Sequence, residues 1–227
     1  DYNGVARSAF APISLTAAGT RDFDLAAPGK LQINLKDLAG KPIPGKVFVY
    51  CATGTCPVPR GGPLDDGNKF RGVADDPWEF EIQAAAHVDQ TGTVTLDVPI
   101  GGYQVVASRG PEWSIYPSTW PTYKGATVPV TTAGATVTVN VELAHVIDTA
   151  GWMSGDFHVH AANSHDSFVA NMDRVKSFLA EGVDVLVSTD HDYITDFQPF
   201  LDELDTISTG TVPKASDHLK AVTGVEL

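Results

Sequence analysis

The sequence predicts two domains. An all-β sandwich over residues 25–147 is followed over 148–227 by the first part of an α/β barrel, incomplete in this chain. Three observations predict this. Short runs alternating apolar and polar residues fill the first part of the chain. Near residue 151 the texture switches to continuous apolar runs separated by a stretch with helical spacing. Ligand-type side chains then recur at the C-terminal ends of those runs, where α/β barrels place their sites.

Residues 1–24 mix Gly, Ala, Ser and Pro without periodicity and read as a linker or peripheral extension. The β texture begins with Leu31, Ile33 and Leu35 alternating against Gln32 and Asn34. It continues through Val47 and Val49, through Val94, Leu96 and Val98, and through Val137, Val139 and Val141. Turn chemistry separates these runs at Gly40–Gly45, at Gly61–Pro63, at Pro99–Gly102 and at Ala133–Gly134. Prolines beside several runs suit a sandwich with exposed edges. The Asp-, Gly- and Pro-rich segment from about 51 to 90 reads as a long insertion loop.

In the second part, Phe168, Met172, Val175 and Leu179 follow 4-3-4 spacing, which predicts a helix from Ser167 to Glu181 ending on Gly182. Val183–Ser188 reads as a buried parallel strand. Asp196 can cap a second helix carrying Phe200, Leu201 and Leu204, with Pro199 in its first turn. Leu219–Val225 is the next strand, giving the order β-α-β-α-β.

Composition narrows the function classes. Residues 1–150 hold 15 acidic and 11 basic side chains, net −4, whereas 151–227 hold 13 and 4, net −9. Such an imbalance excludes nucleic acid as a partner, because phosphate binding needs Lys and Arg clusters. Negative potential around the later residues also suits a site that collects cations. No stretch approaches the ~20 apolar residues that a membrane span requires. The first residue is Asp1 rather than Met, which predicts a processed chain whose leader has been removed. Cys51 and Cys56 enclose four residues including Gly54, and a small disulfide there would imply an extracytoplasmic, periplasmic or secreted setting.

The strongest chemical signal is His158 and His160 at alternate positions of an extended run, followed by Asp166. Alternation directs both imidazoles to one side of a strand. Two imidazoles and a nearby carboxylate begin a metal site. His191 and Glu226 follow the next two apolar runs, so five ligand-type residues sit at or just past strand ends. Each also has a structural reading. A His-x-His can be accidental, Asp166 can cap a helix, His191 can pair with Asp190, and Glu226 can be a lone surface charge. His87, His145 and His218 read as structural or surface residues.

Two resemblances extend this reading. Gly92, Leu96, Pro99, Gly101 and Tyr103, with the turn from Asp37 to Val47, resemble a carboxypeptidase-regulatory-like β-sandwich, in which Tyr103 would return inward as a core residue. The stretches Asp156–His160, Ser164–Ser167, Ser188–Asp192 and Thr223–Glu226 resemble the PHP (polymerase and histidinol phosphatase) superfamily of metal-dependent hydrolases. Ala107–Ser114 and Gly151–Asp156 resemble its carbaryl-hydrolase-like branch.

The PHP resemblance implies a (β/α)7-type barrel with His158, His160, Asp166, His191 and Glu226 as ligands to two or three divalent ions (Zn, Mn or Fe). Glu226 would bridge ions. Asp156 and Asp190 would accept the distal ring N–H of the ligand histidines, and His165, beside the motif residue Asp166, reads as exposed or substrate-facing. The implied activity is cleavage of a small phosphoester, ester, carbamate or amide by metal-activated water. The motif set would continue beyond Glu226, and three βα units fall short of a closed barrel. A second polypeptide completing the barrel is therefore an expected partner. The alternative is a catalytically inactive secreted binding or structural protein in which the β-sandwich carries the interaction.

Overall fold

The computed structural model describes residues 27–52, 82–122 and 125–227. Its first part is a β-sandwich. In one sheet, β1 (Gly29–Asp37) pairs antiparallel with β4 (Thr93–Val98) and parallel with β7 (Thr136–Leu143). The other runs β3-β2-β5-β6 through β2 (Gly45–Cys51), β3 (Ile82–Val88), β5 (Gly101–Ser108) and β6 (Val128–Val130), all antiparallel. The period-2 pattern sets which side chains lie between the sheets. Leu31, Ile33 and Leu35 are fully buried with Val47, Val49, Tyr103, Val105 and Leu143 in one cluster. The Tyr103 hydroxyl donates to the Pro99 carbonyl at 2.6 Å, so its ring is buried with its polar end satisfied.

Two elements depart from expectation. Ile82–Val88 is strand β3, although the surrounding region reads as loop. Its centre, Gln83 to Ala86, carries no large apolar residue, and pairing with β2 rather than side-chain pattern makes it a strand. β6 spans three residues with Pro129 on an edge, too short to register as a run. The expected linker at 1–24, the turn at Gly61–Pro63 and Cys56 lie outside the described residues. Cys51 is disulfide-bonded.

The second part contains β8 (Gly155–Val159), α1 (Asn171–Glu181), β9 (Val185–Ser188), α2 (Gln198–Asp205) and β10 (Lys220–Val222). Both strand pairings are parallel and the order is β10-β9-β8. No barrel is evident: among the described residues the three-stranded sheet is open, as expected of three βα units that fall short of closure. Val175, Leu179, Leu201 and Leu204 of the two helices share a core with Val159, Leu186 and Leu219.

α1 starts at Asn171 rather than Ser167, and Phe168 is 96% exposed instead of core. The preceding residues are held in a loop by side-chain bonds, such as Ser164 Oγ to Asp166 Oδ1 at 2.6 Å. The helix ends as expected. Gly182 has φ 73°, its N–H reaches the Leu179 carbonyl at 3.3 Å, and the Val183 N–H reaches the Phe178 carbonyl at 3.2 Å. Pro199 lies in the first turn of α2, and Asp196 Oδ1 accepts the Gln198 N–H at 2.9 Å. No helix among the described residues is long and apolar enough to cross a membrane.

Arg109 joins the two parts. Its Nη1 donates to the carbonyls of Pro44 and Leu179 at 3.0 Å each, and the guanidinium lies 5.5 Å from the Trp113 ring centre. Burial pulls its pKa down to about 10. Beside it, a Cβ on Gly110 would stand 2.0 Å from the Glu181 carbonyl oxygen, so only glycine allows this approach. Gln90 Nε2 donates to the Leu204 carbonyl at 2.5 Å, and Lys46 pairs with Glu181.

His218 is half-buried, with its pKa lowered from 6.5 to about 4 by burial, then by Arg109 and Lys41 against a smaller opposing effect of Asp217. The unfolded chain therefore binds the extra proton between those values. Stability from this group is full above about pH 6.5 and is lost as pH falls toward 4. Denaturant midpoints measured from pH 7 to 4 should fall, and His218→Gln should flatten that fall; an unchanged slope would show that His218 is not the group responsible.

Candidate metal centre

The parallel register places the ends of β8, β9 and β10 side by side. Gly155 and Lys220 both face Val185, so the residues after each strand emerge at one edge. His158 and His160 come from the end of β8, and His191 follows β9. An isolated parallel bridge pairs His191 with Glu226 beyond β10. Asp166 comes from the loop between β8 and α1.

The structure brings all five predicted ligand residues together. Glu226 Oε2 lies 2.9 Å from His158 Nε2, 2.9 Å from His160 Nε2 and 3.6 Å from His191 Nδ1. Asp166 lies 2.9 Å from His160 Nδ1 and 3.4 Å from His191 Nε2. The His160 ring centre is 4.9 Å from that of His158 and 4.7 Å from that of His191. Two groups of donor atoms each fit within 4.8 Å: His158, His160 and Glu226, and His160, Asp166 and His191.

His160 Nε2 is buried 2.9 Å from Glu226 Oε2, and the pair does not meet the geometry of a well-aligned hydrogen bond. Donors held at ~2.1 Å from one ion stand about 3.0–3.4 Å apart in octahedral or tetrahedral shells, close to the separations seen here.

Electrostatics follow from these contacts. The hydrogen bond to Asp166 raises the His160 pKa, against a smaller lowering by burial. Asp166 is held well below the usual carboxylate range by the Ser164 hydroxyl, then by His160. Burial pushes Glu226 up, but the bond to His158 and the three neighbouring imidazoles outweigh it, leaving its pKa lowered.

Asp156 and Asp190 differ from expectation. Asp156 Oδ1 accepts the backbone N–H of His158 at 3.0 Å rather than a ring N–H. Asp190 is fully buried; it accepts the Ala161 backbone N–H at 2.6 Å and the Thr195 hydroxyl. Both carboxyls shape the loops that carry the histidines instead of touching the rings. A backbone amide in the same strand or loop is nearer than the far side of an imidazole. His165 is exposed, its ring 4.6 Å from that of His191. Arg174 of α1, not singled out by the sequence, lines the same cavity as Asp156, His158, His160 and Asp166. The signal available for it was its standing as the one arginine of residues 151–227.

No family model and no curated protein matches the chain. Among solved structures, it is similar to the Bacillus anthracis TIE protein, with 14% identity and TM-score 0.34, covering 60% of this chain and 20% of that one. It is also similar to the major pilin subunit BcpA of Bacillus cereus, with 16% identity and TM-score 0.33, covering 53% and 31%. The full-length major pilin SpaD from Corynebacterium diphtheriae follows, with 15% identity and TM-score 0.30, covering 55% and 32%. The chain thus spans a third or less of the length of these proteins. Likeness this slight carries no argument about function.

The family expectations are corrected by these results. Neither the carboxypeptidase-regulatory-like nor the PHP resemblance finds a matching family model. The hydrolase assignment rested on the PHP resemblance and falls with it.

Asp190→Ala would leave a buried N–H and a buried hydroxyl without their acceptor, a loss of roughly 1–3 kcal/mol in unfolding free energy. Denaturant unfolding measures it directly. Asp190→Asn should cost less, since one carbonyl oxygen remains; equal and negligible losses in both variants would refute this role.

Proposed function

We propose that the chain is an extracytoplasmic binding protein, in which a β-sandwich supports a divalent-cation site at the edge of the parallel sheet. The observation that carries this reading is the convergence of His158 Nε2 and His160 Nε2 on one Glu226 oxygen, both at 2.9 Å, with His160 Nε2 buried and without a well-aligned hydrogen bond. The disulfide at Cys51 supports an oxidising compartment.

In this reading His158, His160 and Glu226 hold the ion. A neutral imidazole has one free lone pair, so His160 serves the ion through Nε2 while its Nδ1–H donates to Asp166, 2.9 Å away. Asp166 thereby fixes the tautomer and strengthens His160 as a ligand. A second ion would have only Asp166 and His191 for itself. The expected two or three ions narrow to one well-provided position, which Zn, Mn or Fe would each accept.

Calorimetric titration of the chelator-treated protein with Zn²⁺ or Mn²⁺ should show one dominant site. His160→Ala should weaken it by at least a hundredfold, and Asp166→Asn by about tenfold through the lost support. Uptake unchanged in His160→Ala would overturn the reading.

A further inference from the structure

We infer that the metal position and Arg174 together form a binding site for a small organic carboxylate with an apolar body. This rests on the metal reading above and adds the ligand class. A cavity of about 390 Å³ opens beside the strand end and is lined by Asp156, His158, His160, Asp166, Arg174 and Phe178. Its size lies within the range of small-molecule sites.

Arg174 is the only arginine among residues 151–227, which hold 13 acidic side chains. It nonetheless forms no ion pair among the described residues, and its Nε is buried without a partner. A buried guanidinium N–H left unmade is costly, and an arginine surrounded by carboxylates normally finds one. Here the neighbouring carboxyls are already engaged. Asp156 accepts the His158 N–H, and Asp166 accepts from His160 and Ser164. Arg174 thus lines the same cavity as His158, His160 and Asp166 with no ion pair among the described residues.

Three protein donors leave a four- or six-coordinate ion with at least one position for an outside ligand. A planar carboxylate can place one oxygen on the ion and present the other to the guanidinium, whose fork geometry it matches. Phosphate offers similar geometry but carries nearly two charges. Against Asp156, Asp166 and Glu226, a monoanion meets less repulsion. Phe178 on the same wall provides an apolar surface for the rest of the ligand.

The test uses Co²⁺ as a visible-spectroscopic metal in the full chain, titrated with phenylacetate, acetate and inorganic phosphate. Phenylacetate should perturb the cobalt bands and bind more tightly than either of the others. Arg174→Ala should retain Co²⁺ uptake and its melting temperature while losing at least tenfold in phenylacetate affinity; Arg174→Lys, which keeps the charge without the fork, should fall between. Equal phenylacetate affinity in wild type and Arg174→Ala, or tighter binding of phosphate, would overturn the proposal while leaving the metal reading intact. Absence of Co²⁺ uptake by the wild-type protein would overturn both.

Discussion

The parallel ladder through β9, with one irregularity between Asp156 and Val159 of β8, is the constraint on which the rest depends. Parallel strands all end on the same edge, and β9 sits between β8 and β10. Residues far apart in sequence therefore leave the sheet next to one another. A one-residue slip in either pairing would turn the outgoing side chains to the opposite face. The His191–Glu226 bridge extends the ladder beyond the named strands, and it delivers the Glu226 carboxylate to the imidazoles.

The ladder is held in place from behind. α1 packs its Val175 and Leu179 under the sheet, and its C-terminal carbonyl at Leu179 is tied to the sandwich through Arg109. A guanidinium at a helix C-terminus adds a second donor to a carbonyl already bonded by the Gly182 N–H and opposes the negative end of the helix dipole. The same cation bonds to Pro44 at the entry to β2, so one side chain fixes the sandwich and the helix together. The close passage at Gly110 leaves no room for a larger residue between them. The sandwich thus acts as the platform on which the parallel sheet stands.

Much of this was legible in the residues. The alternation of Leu31, Ile33 and Leu35 identified β1, and Gly182 marked the end of α1 because the left-handed backbone that closes a helix favours glycine. What failed was written in tertiary pairing instead. β3 has alanines where a pattern needs bulk, and Phe168 continues a helical stripe that the loop chemistry of Ser164 and Asp166 interrupts. The site was legible in its ligand-type residues, since His158, His160, His191 and Glu226 sit at run ends. The roles of Asp156 and Asp190 were not, because an aspartate beside a histidine has the same sequence whether it accepts from the ring or from the backbone. Arg174 lies on a helix face that periodicity assigns only to solvent or core.

The span between His158 and Glu226 is 68 residues, and the two side chains meet at their tips. Any cation gripping both would clasp nearly the whole parallel-sheet unit into a ring. Closing so long a ring removes disorder from the unfolded chain, as a cross-link does, and matters most where a short sheet offers only a modest core. With such an ion bound, the folding of this half and the cation supply of its surroundings would form one coupled equilibrium, in which scarcity of the ion would loosen the architecture.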